Sequence, residues 1–182
     1  MLIGLVLAGG QSRRMGQDKA LMCYKGNTLI DRATSLLQSA KCSEIMVSRN
    51  EPGFLNDKIQ DVGPLGGVHA ALHALCPSNS FFELLVLPVD MPQMTPQFLT
   101  QLVSSGREHN AACYVENRFL PFYLPVTQAT ENALNSYLVK EKKRRVVGFL
   151  EEVGAAALQE KSGQSSAHWL NVNAPSDWPH DR

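Results

Sequence analysis

MLIGLVLAGGQSRRMGQDKA, residues 1–20, is the stretch from which the rest of the chain is read. Leu2 to Ala8 is a short apolar run with β-branched residues, too short for a helix and suited to a buried strand. Gly9 and Gly10 break it, and Arg13, Arg14, Gly16 and Lys19 follow within ten positions. Glycine has no Cβ, so backbone can approach a ligand closely. Backbone N–H groups in such a loop form an anion-binding concavity, to which Arg and Lys add full charge. The stretch reads as a strand, a glycine turn and three cations directed at a polyanion. That places the site at the carboxyl end of a strand, where open α/β sheets bind ligands. The competing reading is a hairpin turn with surface arginines. Two better-known phosphate loops are excluded, because neither G-x4-G-K-[ST] nor G-x-G-x-x-G is present.

The chain of 182 residues is long enough for one domain with a useful core. Its 17 Lys and Arg balance 17 Asp and Glu, which argues against non-specific nucleic-acid binding while leaving room for a local cationic patch. Cysteines at 23, 42, 76 and 113 form no CxxC pair and suggest reduced thiols in a cytoplasmic protein. Met1 to Ala8 lacks the charged leader of a signal sequence, and no apolar run reaches the length of a membrane span.

After the opening loop, Leu21 to Tyr24 reads as a brief extended piece and Lys25-Gly26-Asn27 as a turn. Asn27 caps a helix expected over Thr28 to Ala40, whose apolar face is Leu29, Ala33, Leu36, Leu37 and Ala40. Glu44 to Ser48 is a second strand. Asp61 and Gly63-Pro64-Leu65-Gly66-Gly67 then form a glycine-rich loop leading into a helix over Val68 to Leu75. His69 and His73 share a face of that helix; without further ligands they read as solvent-facing or capping residues rather than a zinc site. Glu83 to Val89 is the most apolar strand, as a central parallel strand should be. Asp90 stands at its carboxyl tip, suited to Mg²⁺ or to closing a turn.

Thr95 caps a helix through Ser105, with Pro96 in its first position. Ala111 to Val115 and Phe119 to Leu124 read as two strands, the second placed at an edge by Pro121. Thr127 to Val139 is an amphipathic helix. Lys140 to Arg145, KEKKRR, reads as a solvated helix face or as a contact for a phosphate or an acidic partner, with the helix continuing over Val146 to Val153. Gln159 to Ala167 is a polar loop. A strand then leads into Asn171-Val172-Asn173, whose two amides share a face, either in a hydrogen-bonded turn or toward a ligand. The alternation of elements indicates a single-domain three-layer α/β/α sandwich with a mostly parallel sheet.

The pattern L-A-G-G-x-S-x-R-M-G-x-D-K over Leu7 to Lys19 resembles that of the molybdenum cofactor guanylyltransferases, the molybdopterin-guanine dinucleotide biosynthesis protein A family. The Asp61 and Gly63–Gly67 segment, Asp90 in a D-x-P context, and Asn171 and Asn173 in N-x-N-x-P extend the resemblance to Pro175. It implies a Rossmann-like nucleotidyltransferase fold spanning residues 1–182. It also implies transfer of GMP from Mg·GTP to the phosphate of molybdopterin, with release of pyrophosphate. Arg14, Lys19 and Asp90 would be catalytic, with Asp90 the Mg²⁺ ligand. Leu7, Ala8, Gly9, Gly10, Lys19, Ser48, Asp61, Gly63, Pro64, Leu65 and Asp90 would bind the nucleotide. Arg144, Arg145, Asn171 and Asn173 would face the pterin. The implied partners are these small molecules and, transiently, molybdenum-insertion and cofactor-accepting proteins, with no nucleic acid and no membrane.

The chain departs from the pattern at V-S-R-N-E, where family members read V-N-x-N-R: Ser48 replaces an Asn, while Asn50 matches the second one. Three other readings stay open: a cytidylyl transferase acting on the same pterin, a sugar-phosphate nucleotidyltransferase, and a non-catalytic nucleotide-binding homologue.

Overall fold

Every residue of β1 (Leu2–Leu7) is buried. Leu2 and Val6 enter one apolar cluster, and Ile3, Leu5 and Leu7 enter another. A strand buried on both faces needs cover on both sides, and the remaining elements supply it. The structure, a computed structural model, describes residues 1–10, 18–160, 166–173 and 175–177. A hairpin of β2 (Cys23–Tyr24) and β3 (Asn27–Thr28) follows β1. Then come α1 (Leu29–Ser39), β4 (Glu44–Ser48), α2 (Pro64–Leu75), β5 (Phe82–Pro88), α3 (Pro96–His109), β6 (Cys113–Val115), β7 (Phe122–Val126), α4 (Gln128–Asn135), α5 (Val146–Glu152) and β8 (Ala156–Leu158).

The central sheet has the order β4-β1-β5-β7-β6-β8. β1 lies parallel to both β4 and β5, β7 is antiparallel to β5 and β6, and β8 is parallel to β6. Two reversals restore direction, so β1, β4, β5, β6 and β8 all end at one rim. Leu29, Ala33 and Leu37 of α1 and Leu99, Leu102 and Val103 of α3 cover one face. Leu65, Val68 and Leu72 of α2, Leu134 of α4 and Phe149 of α5 cover the other. This is the expected three-layer sandwich with a mostly parallel sheet.

Opposite the rim, Glu83 is 6% exposed at the start of β5. It accepts hydrogen bonds from Arg107 Nε and Nη2 at 2.7 and 2.8 Å and from Tyr123 Oη at 2.6 Å, joining β5, α3 and β7. Gly106 makes that junction possible. A Cβ there would sit 2.1 Å from Tyr123 Cδ1, and the ring is tethered by its hydroxyl. Gly106→Ala is expected to cost about 1–3 kcal/mol by overpacking, read as a lowered denaturation midpoint with an unchanged m-value.

Several local expectations are corrected. Thr28, not Asn27, caps α1, its hydroxyl accepting from the Asp31 N–H at 3.1 Å, because the helix starts at Leu29 and Thr28 is the residue immediately before it. The extended piece is only Cys23–Tyr24, since Leu21 closes a 3-10 turn over Lys19–Leu21. The glycine-rich segment is no loop before a helix: α2 begins at Pro64, with Gly63 at φ 65° as its cap. α3 runs on to His109. β7 is interior rather than at an edge; Pro121 stands before it, and Pro125 lies where β6 no longer pairs. The 140–145 run is not a continuous helix. α4 passes through a π turn (Ser136–Lys140), and Lys142 at φ 53° breaks the path before α5. No strand precedes Asn171; a 3-10 turn (Ser166–Trp169) does. β8 was not foreseen. His69 is buried, not solvent-facing, with Nε2 3.3 Å from Asn135 Oδ1. The expected polar loop at 159–167 lies partly outside the described residues, at 161–165. The four cysteines are free. Among the described residues no helix is long and apolar enough to cross a membrane.

Candidate functional site at the carboxyl rim of the sheet

The end of β1 is fixed from both sides. The Ala8 N–H donates to the Ser48 carbonyl at 2.9 Å, and the Val89 N–H to the Leu7 carbonyl at 3.0 Å. Leu7 and Ala8 are buried, while Gly9 and Gly10 emerge exposed, Gly10 at φ 131°. That conformation favours glycine. Arg13, Arg14 and Gly16 lie outside the described residues. The chain is described again from Asp18, whose Oδ1 accepts from the Ala20 N–H at 3.1 Å and starts the 3-10 turn. Its other oxygen, Oδ2, pairs with Arg49 Nη2 just beyond β4. Arg49 in turn stacks on Phe54, 5.5 Å from the ring centroid.

This anchorage aims Lys19. Its Nζ donates to Asp90 Oδ2 at 3.2 Å and to Asn173 Oδ1 at 3.1 Å. Both charged side chains are mostly shielded, Lys19 18% and Asp90 24% exposed. The Val172 N–H donates to the Asp90 carbonyl at 2.9 Å, and the Asn173 N–H to Asp177 Oδ2 at 2.8 Å. Val172 is fully buried while Asn171 and Asn173 are exposed, and no strand carries them. Three residues singled out from the sequence, 19, 90 and 173, thus meet in one hydrogen-bonded group.

The second glycine element borders the same rim. Asp61 is exposed at φ 58°, and Gly63 and Pro64 are exposed at the start of α2. The Leu65 side chain is buried in the core, so its N–H in the first helical turn is what it can offer a ligand. Ser48 is 4% exposed; a Cβ on Gly67 would lie 2.4 Å from its hydroxyl, so this small pair lets α2 close on β4. Asn50 holds its own loop, accepting from the Asp57 N–H at 2.8 Å. Arg144 and Arg145 are exposed before α5, and no hydrogen bond or ion pair joins them to Lys19, Asp90 or Asn173 among the described residues.

Sequence reasoning missed the partnership of Asp18 with Arg49. Asp18 stood in the motif, but Arg49 appeared only within V-S-R-N-E, with no role of its own.

The oxygens of Asp90 and Asn173 already share one positive charge, the Lys19 ammonium, so this place accommodates a cation. A carboxylate with an amide oxygen suits a small hard divalent ion that completes its shell with water and phosphate oxygens. No group of three His, Cys, Asp or Glu suited to a metal exists among the described residues.

Residues 4–155 match the family described as the MobA-like NTP transferase domain. The chain is 30% identical over 177 residues to a molybdenum cofactor guanylyltransferase of Xanthomonas euvesicatoria pv. vesicatoria, covering 96% of this chain and 91% of the relative. Among solved structures it resembles molybdopterin-guanine dinucleotide biosynthesis protein A of Archaeoglobus fulgidus, with a TM-score of 0.75, 21% identity, and coverage of 98% and 95% of the two chains. It also resembles a Mycobacterium tuberculosis H37Rv protein solved in complex with manganese, with a TM-score of 0.60, 16% identity, and coverage of 97% and 95%.

Proposed function

The chain belongs to the family of MobA-like NTP transferases and is a nucleotidyltransferase, and from that premise we propose that it transfers GMP from GTP to the phosphate of molybdopterin. The products are molybdopterin guanine dinucleotide and pyrophosphate. The observation that carries this reading is the junction of Lys19, Asp90 and Asn173 beside the glycine turn.

An oxygen of the acceptor's phosphate attacks the α-phosphorus of GTP. The bond from that phosphorus to the bridging oxygen breaks, and its electron pair leaves with pyrophosphate. The attacking phosphate is already ionised at neutral pH, so no Ser-His or Cys-His nucleophile is needed. Positioning and charge neutralisation supply most of the acceleration. Asp90 and Asn173 would hold Mg²⁺, which when bound adds Lewis-acid charge to the α-phosphate. Lys19, together with Arg14, neutralises the triphosphate and the leaving pyrophosphate. Main-chain groups of Leu7 to Gly10, with Ser48, Asp61, Gly63, Pro64 and Leu65, seat the nucleotide. Asn171, Asn173, Arg144 and Arg145 face the acceptor. Residues 1–182 act as one nucleotidyltransferase domain in the cytoplasm, in transient contact with molybdenum-insertion and cofactor-accepting proteins.

Asp18 and Arg49 act through Lys19. Arg49→Met is expected to lower kcat/KM on the order of tenfold to a hundredfold, the scale of a small misplacement of a charged group. Asp18→Asn should do the same, and the double variant should be little worse than either, because one ion pair is being removed twice. Steady-state kinetics on the three variants checks this.

The reading is tested by calorimetric titration with GTP, CTP and ATP in the presence of Mg²⁺. Preferential GTP binding supports guanylyl transfer. A preference for CTP would move the reading to cytidylyl transfer on the same acceptor.

A further inference from the structure

β6 and β8 end at the rim that carries Asp90, but on the far side of it from the glycine turn. Between their ends lies a cavity of about 460 Å³ lined by Glu116, Arg118 and Glu160 among others, within the size range of small-molecule pockets. Its wall is built. The Arg118 guanidinium lies 4.9 Å from the Trp169 ring centroid, and its Nη2 is 3.5 Å from Glu160 Oε2. Glu160 Oε1 accepts from Trp169 Nε1 at 2.6 Å. Trp169 is 7% exposed, wedged edge-on against Phe98 at 4.9 Å. The guanidinium is therefore held by the indole and by a carboxylate, while the side chain remains 40% exposed. Glu116 borders the same cavity, and its carboxylate makes no hydrogen bond or ion pair with a described residue. Only Leu170 and Asn171 separate Trp169 from Val172, whose N–H bonds the Asp90 carbonyl, so the Trp169 and Val172 Cα atoms lie within about 11 Å of each other and the short segment links the cluster to that junction.

We infer that this cavity takes the fused heterocycle of the acceptor: the ring stacks on the Arg118 guanidinium, and its amino-pyrimidinone edge donates to Glu116. This rests on the reading of the acceptor as a pterin. Planar guanidinium groups stack on aromatic rings, and a carboxylate accepts two parallel N–H bonds of the kind that edge presents. The acceptor then lies over β6 and β8, the nucleotide over β1 and β4, and the phosphates meet at Asp90 between them.

The test uses 6-hydroxymethylpterin, which carries neither phosphate nor metal, titrated by its own fluorescence. Guanine presents the same edge, so the protein is first saturated with the non-transferable analogue α,β-methylene-GTP. Wild type is expected to bind the pterin saturably, and Glu116→Gln and Arg118→Ala to weaken it at least tenfold. In turnover assays both variants should raise KM for molybdopterin by a similar factor while KM for GTP stays constant. Absence of pterin binding by wild type, displacement of the pterin by the GTP analogue, or binding unaltered in Glu116→Gln overturns the inference. Guanine dinucleotide formed with an unaltered molybdopterin KM in both variants refutes the subsite and leaves the activity standing. Glu116-dependent pterin binding without any guanine dinucleotide refutes the activity and leaves the subsite standing.

Discussion

Asp90→Ala is expected to lower turnover by about three orders of magnitude, equivalent to about 4 kcal/mol of lost transition-state stabilisation. Two contributions disappear together. Asp90 is the carboxylate at the tip of the central strand, and it is also the anion on which Lys19 rests at 3.2 Å. Asp90→Asn separates them. An asparagine oxygen can still accept from Lys19 Nζ but carries no charge for a divalent ion. If Asp90 serves the metal, the Asn variant falls nearly as far as the Ala variant, and nucleotide binding loses its dependence on divalent ions in both. If Asp90 only orients Lys19, the Asn variant retains most of its activity. Initial rates and nucleotide titrations with and without divalent ion distinguish the two.

The second large effect is on stability. Glu83→Ala removes the acceptor for a buried Tyr123 hydroxyl and for two Arg107 nitrogens. Arg107 is 53% exposed and can turn to water, so the cost is less than for a fully buried ion pair. A destabilisation of about 2–4 kcal/mol is expected, most of it from the stranded tyrosine and lost charge-assisted bonds. The effect depends on pH. The Arg107 hydrogen bonds hold the Glu83 carboxyl below the usual carboxylate range; burial opposes them, and the Tyr123 hydroxyl assists. A carboxyl depressed in the folded state stabilises above its unfolded pKa, and that contribution is lost as pH falls through the folded pKa. The gap between wild type and Glu83→Ala, measured by urea denaturation, should therefore narrow as pH falls into the acid range. A constant gap would mean that the ionised carboxylate contributes nothing.

What could be read from the sequence was whatever a short window contains. Leu2 to Ala8 and Glu83 to Val89 are predominantly apolar runs, so the burial of the first and the central place of the second were legible. Lys19, Asp90 and Asn173 were each marked by local motif context, and the fold joins them. The missed features have partners far away in sequence. Arg49 reaches 31 residues back to Asp18, and nothing in its own window marks that. Ala156–Leu158 has little strand propensity of its own; its pairing with β6 makes it a strand. Asn27 is an adequate cap in isolation, but the helix starts one residue later than a cap at Asn27 requires, and Thr28 takes the role. Pro121 suggested an edge because the sequence does not reveal that the strand starts one residue later.

The most direct measurement is mass analysis of the product formed from molybdopterin, Mg²⁺ and an equimolar mixture of GTP and CTP, with pyrophosphate quantified in parallel. The expected result is molybdopterin guanine dinucleotide with one pyrophosphate released per dinucleotide, and no product from Asp90→Ala. A cytosine dinucleotide, or nucleotide binding with no pyrophosphate released in the presence of authentic acceptor, would contradict guanylyl transfer.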